Sequence, residues 1–499
     1  MRPIILALVF IGFAAPAVTA EEPQPKLTLD LWDAAYVQGA RAGYVHTFVQ
    51  EFDKEGTKLL RAAMELRLTV RRSGETVQLG MDSGTYETPD GKVVGVFLKH
   101  FLGKAKTLEI TGIVDGGVLR LTQDKTKSIK PAPWNPDVIG LARQQRLLQE
   151  RGIKPGDQFT YLSFEPSINL VIKTTVSVKD YEEVELFGGK QRKRLLRLEN
   201  RPDKVQNVQL PTLVSWVGDD LMPVRSEADI PPFGRVTLYR TTKAFALTAG
   251  TVAKLTDIGT SQHVKLAKRI ANPYDTRAAL YRITIRGEDD PAGIFARDER
   301  QHVDNVQGKT IELRVSASGG KKEISEKPSS EYTQSSYFIN SEDTRVRALA
   351  QRATQGETDP ARKAFSIEKW VHRNMTVTSD EVLAPADHVA RTLRGDCTEF
   401  AMLTAAMCRA EGIPSRTAVG LIYADLRTGP IFAFHMWTEV WLRDSWVALD
   451  ATLGKGYVGA THLKIRDQSW HDTYDQAPLL PVFNVLGRLS IEVVRTAAK

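Results

Sequence analysis

Residues 395–412 read GDCTEFAMLTAAMCRAEG and contain both cysteines of the 499-residue chain. Asp396 followed three residues later by Glu399 fits a capping box, in which an Asp side chain accepts from the backbone at the helix start and a Glu reaches back. The apolar pattern then runs through Phe400, Leu403, Ala406 and Met407 to Glu411. Gly412 can supply a left-handed terminator, and Pro414 blocks continuation. These signals predict a helix with Cys397 in its first turn. If both cysteines lie on it, eleven residues separate them by about 16 Å at the α-helical rise. A disulfide needs Cα atoms within about 7 Å, so the helix excludes a Cys397–Cys408 bridge.

The first turn of a helix carries partial positive charge and unpaired N–H groups. It therefore favours thiolate over thiol and can receive the oxyanion formed when a thiolate attacks a carbonyl. Gly395 would let a substrate backbone approach closely. The competing reading is an inert cysteine in the core.

A thiol nucleophile works best with a histidine base held by a third polar group. Downstream, FAFHMWTEVWL (432–442) alternates aromatic and β-branched residues, placing His435, Trp437, Glu439 and Trp441 on one face of a strand. The stretch 446–450 reads as the return strand, and any two-residue hairpin puts His435 and Asp450 on one side. A turn at Asp444-Ser445 would place Glu439 opposite Asp450. Bringing Asp450 against His435 needs an earlier centre or a bulge, so Glu439 is a rival orienting acid.

These residues resemble a known family. Gly395-Asp396-Cys397, then RAEGIPSR (409–416), then HMWTEV (435–440), then WVALDAT (446–452) are similar to the successive motifs of the transglutaminase-like core, over about 341–464. The resemblance implies a papain-like α+β fold and a Cys-His-Asp triad. Carried over, Cys397 is the nucleophile, His435 the base and then acid, and Asp450 the residue orienting the ring. Met436 and Ala451 depart from the family's usual small residue and proline without touching the triad. Relatives often use an indole or another side chain as a second oxyanion donor; Trp370 is considered for that role against a place in the core, and Trp437 and Trp441 read as walls or core.

Around this domain the fold class is α+β and multidomain. Residues 1–20 have the layout of a secretory signal peptide, with an apolar run ending in Val18-Thr19-Ala20, which implies an exported, periplasmic or secreted protein. Residues 26–250 alternate with period two between turn residues and read as an antiparallel β-rich domain with one helix, 136–151. A smaller β-rich segment spans 251–315, a linker or long loop 316–340, the transglutaminase-like domain 341–475 and an extension 476–499. Within it, helices are expected at 341–355 and 359–374.

A net charge of +7 permits attraction to anionic surfaces without showing it. The cluster Lys190, Arg192, Lys193, Arg194 and Arg197 lacks interleaved aromatics and reads as a solvated hairpin, with no nucleic-acid partner expected. A metal site from Cys397, Cys408 and a histidine such as His388 lacks ligand spacing, no acidic loop suggests calcium, and no cofactor is expected. With Asp396 capping a helix, Arg394-Gly395-Asp396 is not read as an adhesion tripeptide. The sequence thus points to a thiol enzyme that forms a thioester with a protein, peptide or cell-wall peptide, resolved by water or an amine. The alternative is a non-catalytic binding or assembly protein.

Overall fold

The structure, a computed structural model, describes residues 25–497 apart from 73, 103–104, 125–126, 130, 167, 190, 206–207, 231–232, 249, 251–253, 256, 288–289, 318–326, 380, 382 and 472–476. The signal-peptide stretch and most of the polar middle of the expected linker lie outside the described residues.

The period-two pattern of the N-terminal half becomes one large antiparallel sheet, 15-stranded among the described residues. Its order runs from Gln158–Glu165 to Gly234–Thr241, crosses to Lys26–Val37, and continues through the hairpin of Thr57–Arg72 with Glu75–Glu87 to the short strands near residue 128. Ala35 opposite Leu238 marks the crossing. Apolar side chains collect on one face, as at Leu68, Val70 and Val77.

The expected helix is Leu141–Arg151, five residues shorter at its start than predicted, with Gly152 in the left-handed conformation at its end. Its first turn is satisfied from another strand. Glu87 Oε1 accepts from Ala142 N at 2.8 Å and Thr85 Oγ1 from Leu141 N at 3.0 Å. A carboxylate supplied by tertiary structure replaces the local cap that the sequence lacks. A second, single-turn helix, Lys243–Ala246, also lies in this half.

The C-terminal half places helices Thr344–Thr354, Pro360–Asn374, Ala386–Thr392 and Cys397–Ala410 beside an antiparallel five-stranded sheet. Asp343 and Asp359 cap the first two helices through their side chains. The sheet order is Val264–Lys265, Gly429–Leu442, Ser415–Leu426 and His462–Gln468, with Ser445–Leu449 also on Gly429–Leu442. The Cys397–Ala410 helix is buried along nearly its whole length, as Met402, Leu403, Ala405, Ala406 and Met407 pack into the core.

The smaller β segment is a four-stranded sheet that shares this core, with Tyr281, Ile283, Ile311 and Leu313 continuous with the helices. Its edge is completed by Leu489–Ala497, from the expected C-terminal extension, which pairs with Ala278–Ile285. The expected linker is also partly anchored. Phe338 and Ile339 are buried, and Gln334 O accepts from Arg409 Nη1 at 2.7 Å. Arg192, Lys193, Arg194 and Arg197 form a strand whose cations meet local partners: Lys193 with Asp219, Arg197 with Glu182 and Glu199, and Arg194 over the Tyr181 ring.

Candidate active site

The helix holding Cys397 begins as the sequence predicts. Asp396 Oδ1 accepts from Thr398 N at 2.9 Å, and Glu399 Oε2 accepts from Asp396 N at 3.0 Å, a reciprocal cap. Glu399 Oε1 also accepts from Ala384 N at 2.8 Å, tying the preceding loop to the helix start. Burial, then the nearby Asp396, pushes Glu399 up to about 8. Gly395 has φ +149°, and a Cβ there would meet Glu399 Cβ at 2.3 Å. Its glycine serves the packing of the cap, which corrects the expectation of a substrate-facing gap. Both cysteines are free; Cys397 is partly exposed and Cys408 buried.

The hairpin carrying His435 turns at Arg443-Asp444, both in the left-handed region, with Leu442 opposite Ser445. This is one residue earlier than the turn read from sequence. Glu439 therefore faces Ala448, and the register extended by one pair would set Asp450 opposite Trp437. Asp450 leaves the ladder in a tight turn, its carbonyl accepting from Leu453 and Gly454 N, and its side chain reaches the diagonal neighbour on the same face. That neighbour is His435, whose Nε2 lies 2.8 Å from Asp450 Oδ2. No bulge is needed.

With Nε2–H given to the carboxylate, Nδ1 is the ring nitrogen left for the thiol, and Cys397 and His435 lie near enough for each to shift the other's titration. Thr438 Oγ1 donates to Ala401 O at 3.1 Å, fixing the strand against the helix that presents the thiol. The structure thus brings Cys397, His435 and Asp450 together.

Residues 347–451 match the family model of the transglutaminase-like superfamily. The C-terminal domain is a transglutaminase-like domain. It is of the thiol-enzyme kind. No curated protein matches the chain. Among solved structures, the chain is similar to a putative cysteine protease from Cytophaga hutchinsonii at 17% identity, covering 45% of this chain and 85% of that one with a TM-score of 0.27. A β-barrel-like protein of a domain of unknown function from Brucella abortus aligns at 13% identity, covering 43% and 95%, with a TM-score of 0.31. The periplasmic domain of TgpA from Pseudomonas aeruginosa, bound to ethylmercury, aligns at 16% identity, covering 36% and 91%, with a TM-score of 0.26. Among the described residues no helix is long and apolar enough to cross a membrane.

Asp450 in the transglutaminase-like domain has more partners than the sequence revealed. Oδ1 accepts from Thr452 N at 2.9 Å and Thr452 Oγ1 at 2.6 Å, while Oδ2 also meets His462 Nε2 at 3.0 Å. His462 arrives because Gly420, opposite His435, lets the neighbouring strand pass close: a Cβ there would meet Leu463 O at 1.9 Å. Neither Thr452 nor His462 stood out as a site residue in the sequence, since contact depends on how the third strand is stacked.

Electrostatics separate the groups. Burial would raise Asp450, but the His435 and His462 contacts outweigh it and hold the carboxyl far below its usual range. Burial would lower His435, yet the Asp450 charge and hydrogen bond raise it to about 10. Burial pushes His462 down to about 4, so it donates Nε2–H as a neutral ring, and its Nδ1 is buried with no hydrogen-bond partner among the described residues. For Cys397, burial and then Asp396 push the thiol up, while His435 and the Met436 N–H pull it down. The net direction is upward, so the expected helix-start activation is opposed by desolvation.

Glu439 is not the orienting acid. Arg416 Nε donates to its Oε2 at 2.7 Å and Lys464 Nζ at 2.9 Å. Burial alone would raise it, but these cations, led by Lys464, hold it down at about 2. Trp370 is a half-buried core neighbour, and Trp437 is buried with Ala418, Ala448 and Val458. Among the described residues His435, Asp450 and His462 form a cluster of metal-type donors within 4.8 Å. Both ring nitrogens already point at one carboxylate oxygen, so a cation there would displace the bond that orients His435. Cys408, and His388 paired with Glu381 at 3.2 Å, stand outside that cluster.

Proposed function

We propose that the chain is a cysteine-dependent enzyme that forms a thioester on Cys397 from an amide or peptide donor. The observation carrying this reading is His435, whose Nε2 meets Asp450 Oδ2 at 2.8 Å on a strand that Thr438 fixes against the helix beginning at Cys397. Cys397 attacks the carbonyl as a thiolate whose proton His435, raised to about 10, already holds. The negative oxygen of the tetrahedral intermediate is met by backbone N–H at the helix start. The imidazolium, stabilised by Asp450, then protonates the departing amine, leaving the acyl group on Sγ. Water activated by the same ring, or an incoming amine, attacks the thioester and regenerates the thiol.

Peptides, proteins or cell-wall peptides of an exported compartment are the donor class, on the signal-peptide layout of residues 1–20. The test is to incubate the full chain with peptide mixtures and measure intact mass. An adduct on Cys397 that hydroxylamine removes, absent in Cys397→Ala, is the expected result. Full biological activity in Cys397→Ala would overturn the reading and favour an interaction module.

A further inference from the structure

The sheet half of the molecule reaches the thiol site. Arg72, the last residue of the strand Thr57–Arg72, is opposite Glu75 in a hairpin whose tip projects beyond the large sheet's apolar cluster. Arg72 Nη2 donates to Asp396 Oδ2, and Nη1 donates to the Glu381 carbonyl at 2.8 Å. Asp396 is the residue immediately before Cys397, and its other oxygen, Oδ1, caps the helix. The guanidinium therefore holds the second oxygen of the capping carboxylate together with the Glu381 carbonyl.

The hairpin tip is itself fixed. Gly74 N donates to Asp257 Oδ2 at 2.6 Å, and the backbones of Arg71 and Asp257 form an isolated parallel β-bridge. Asp257 Oδ1 caps the short helix Ile258–Ser261, and Ile258 packs with Leu68, Val70 and Val77 of the hairpin. Shortly afterwards Val264 and Lys265 pair with Phe432 and Ile431, on the strand that carries His435. Hairpin, connecting segment and catalytic-site strand thus form one supported frame.

We propose that Arg72 is a positioning residue of the thiol site, supplied by the β-sheet half of the chain, which holds Asp396 and offsets its charge beside Cys397. The proposal rests on the thiol reading above. Its physical basis is that a carboxylate one residue from the nucleophile disfavours a second negative charge, and a bonded guanidinium compensates for it. Asp396 acts on Cys397 in that unfavourable direction. The other charged or titratable groups around the helix start are Glu399 on the helix, His435, Asp450 and His462 from the sheet, and Glu381 with His388 from the preceding loop and helix.

The test is the pH dependence of iodoacetamide alkylation at Cys397 in the full chain, read by peptide mass spectrometry so that Cys408 is counted separately. Arg72→Ala is expected to move the midpoint upward and slow the neutral-pH rate by about 3- to 10-fold, up to one pKa unit of thiolate. Arg72→Lys, which keeps the charge, should restore most of the rate. Asp396→Asn retains a good helix cap while removing the charge, so it should move the midpoint downward; combined with Arg72→Ala it should return the profile towards wild type. Should Arg72→Ala fail to fold, Asp396→Asn alone decides, because an unmoved profile in that variant contradicts the proposal. A wild type with an activated thiol and superimposable variant profiles would overturn the role of Arg72 and leave the thiol reading intact. A wild-type Cys397 that reacts like a free thiol would remove both.

Discussion

Two buried acids on one hairpin, Glu439 and Asp450, are 2% and 1% exposed and lie on the same face, yet their surroundings give them different capacities. Glu439 sits among Arg416, Lys464 and, through Lys464, Asp298 and Asp467, in a network of ion pairs. Asp450 sits among two imidazoles and a threonine hydroxyl. A carboxylate bound by permanent cations holds a fold together. One that orients an imidazole can also stabilise a proton as it moves.

Breaking the Asp450 side should have the larger effect on turnover. Asp450→Asn removes the charge that favours His435 as imidazolium, and activity should fall by about 10²- to 10⁴-fold, the usual weight of positioned acid–base chemistry. Steady-state kinetics beside a melting curve checks that the loss exceeds any change in folding. Glu439→Gln inverts the comparison: it removes the most deeply buried anion beside Lys464 and Arg416, which keep only the more exposed Asp298 and Asp467, and should cost up to about 3–5 kcal/mol in denaturant unfolding. Activity per folded molecule should change much less than in Asp450→Asn.

A pH series sharpens the contrast. The folded-state pKa of His435 is raised to about 10, from an ordinary value of 6.5, so its contribution to stability is complete below 6.5 and is lost as pH rises through 10. Glu439 is depressed to about 2, so its contribution is present above the ordinary 4.5 and is lost as pH falls through 2. Melting temperature followed with pH should show a His435→Gln variant losing less on the alkaline side than wild type. Glu439→Gln should lose less on the acid side. The smallest effect is expected from His462→Gln, which can still donate to Asp450; a loss of about tenfold or less in turnover would reflect poorer orientation of the carboxylate.

The comparison also marks how far sequence alone reaches. The Cys397 helix was legible because its signals are local: Asp396 and Glu399 at one end, Gly412 and Pro414 at the other. The side on which Asp450 lies followed from strand parity, but its partner did not. A one-residue difference in the turn and the departure of Asp450 from the ladder decide that it reaches His435 diagonally. The start of the helix Leu141–Arg151 was misplaced for a related reason, since its cap, Glu87, comes from more than fifty residues away. Arg72 and His462 were invisible because only the assembled sheet brings them to Asp396 and Asp450.

The central claim is that His435, oriented by Asp450, activates the Cys397 thiol. It is tested most directly by comparing the iodoacetamide reaction rate of Cys397 near neutral pH in wild type, His435→Gln and Asp450→Asn, with a model thiol as reference. Wild type should react faster than the model thiol, and both variants should lose that advantage. Equal rates for wild type and the model thiol, or a wild-type rate retained in His435→Gln, would contradict the account.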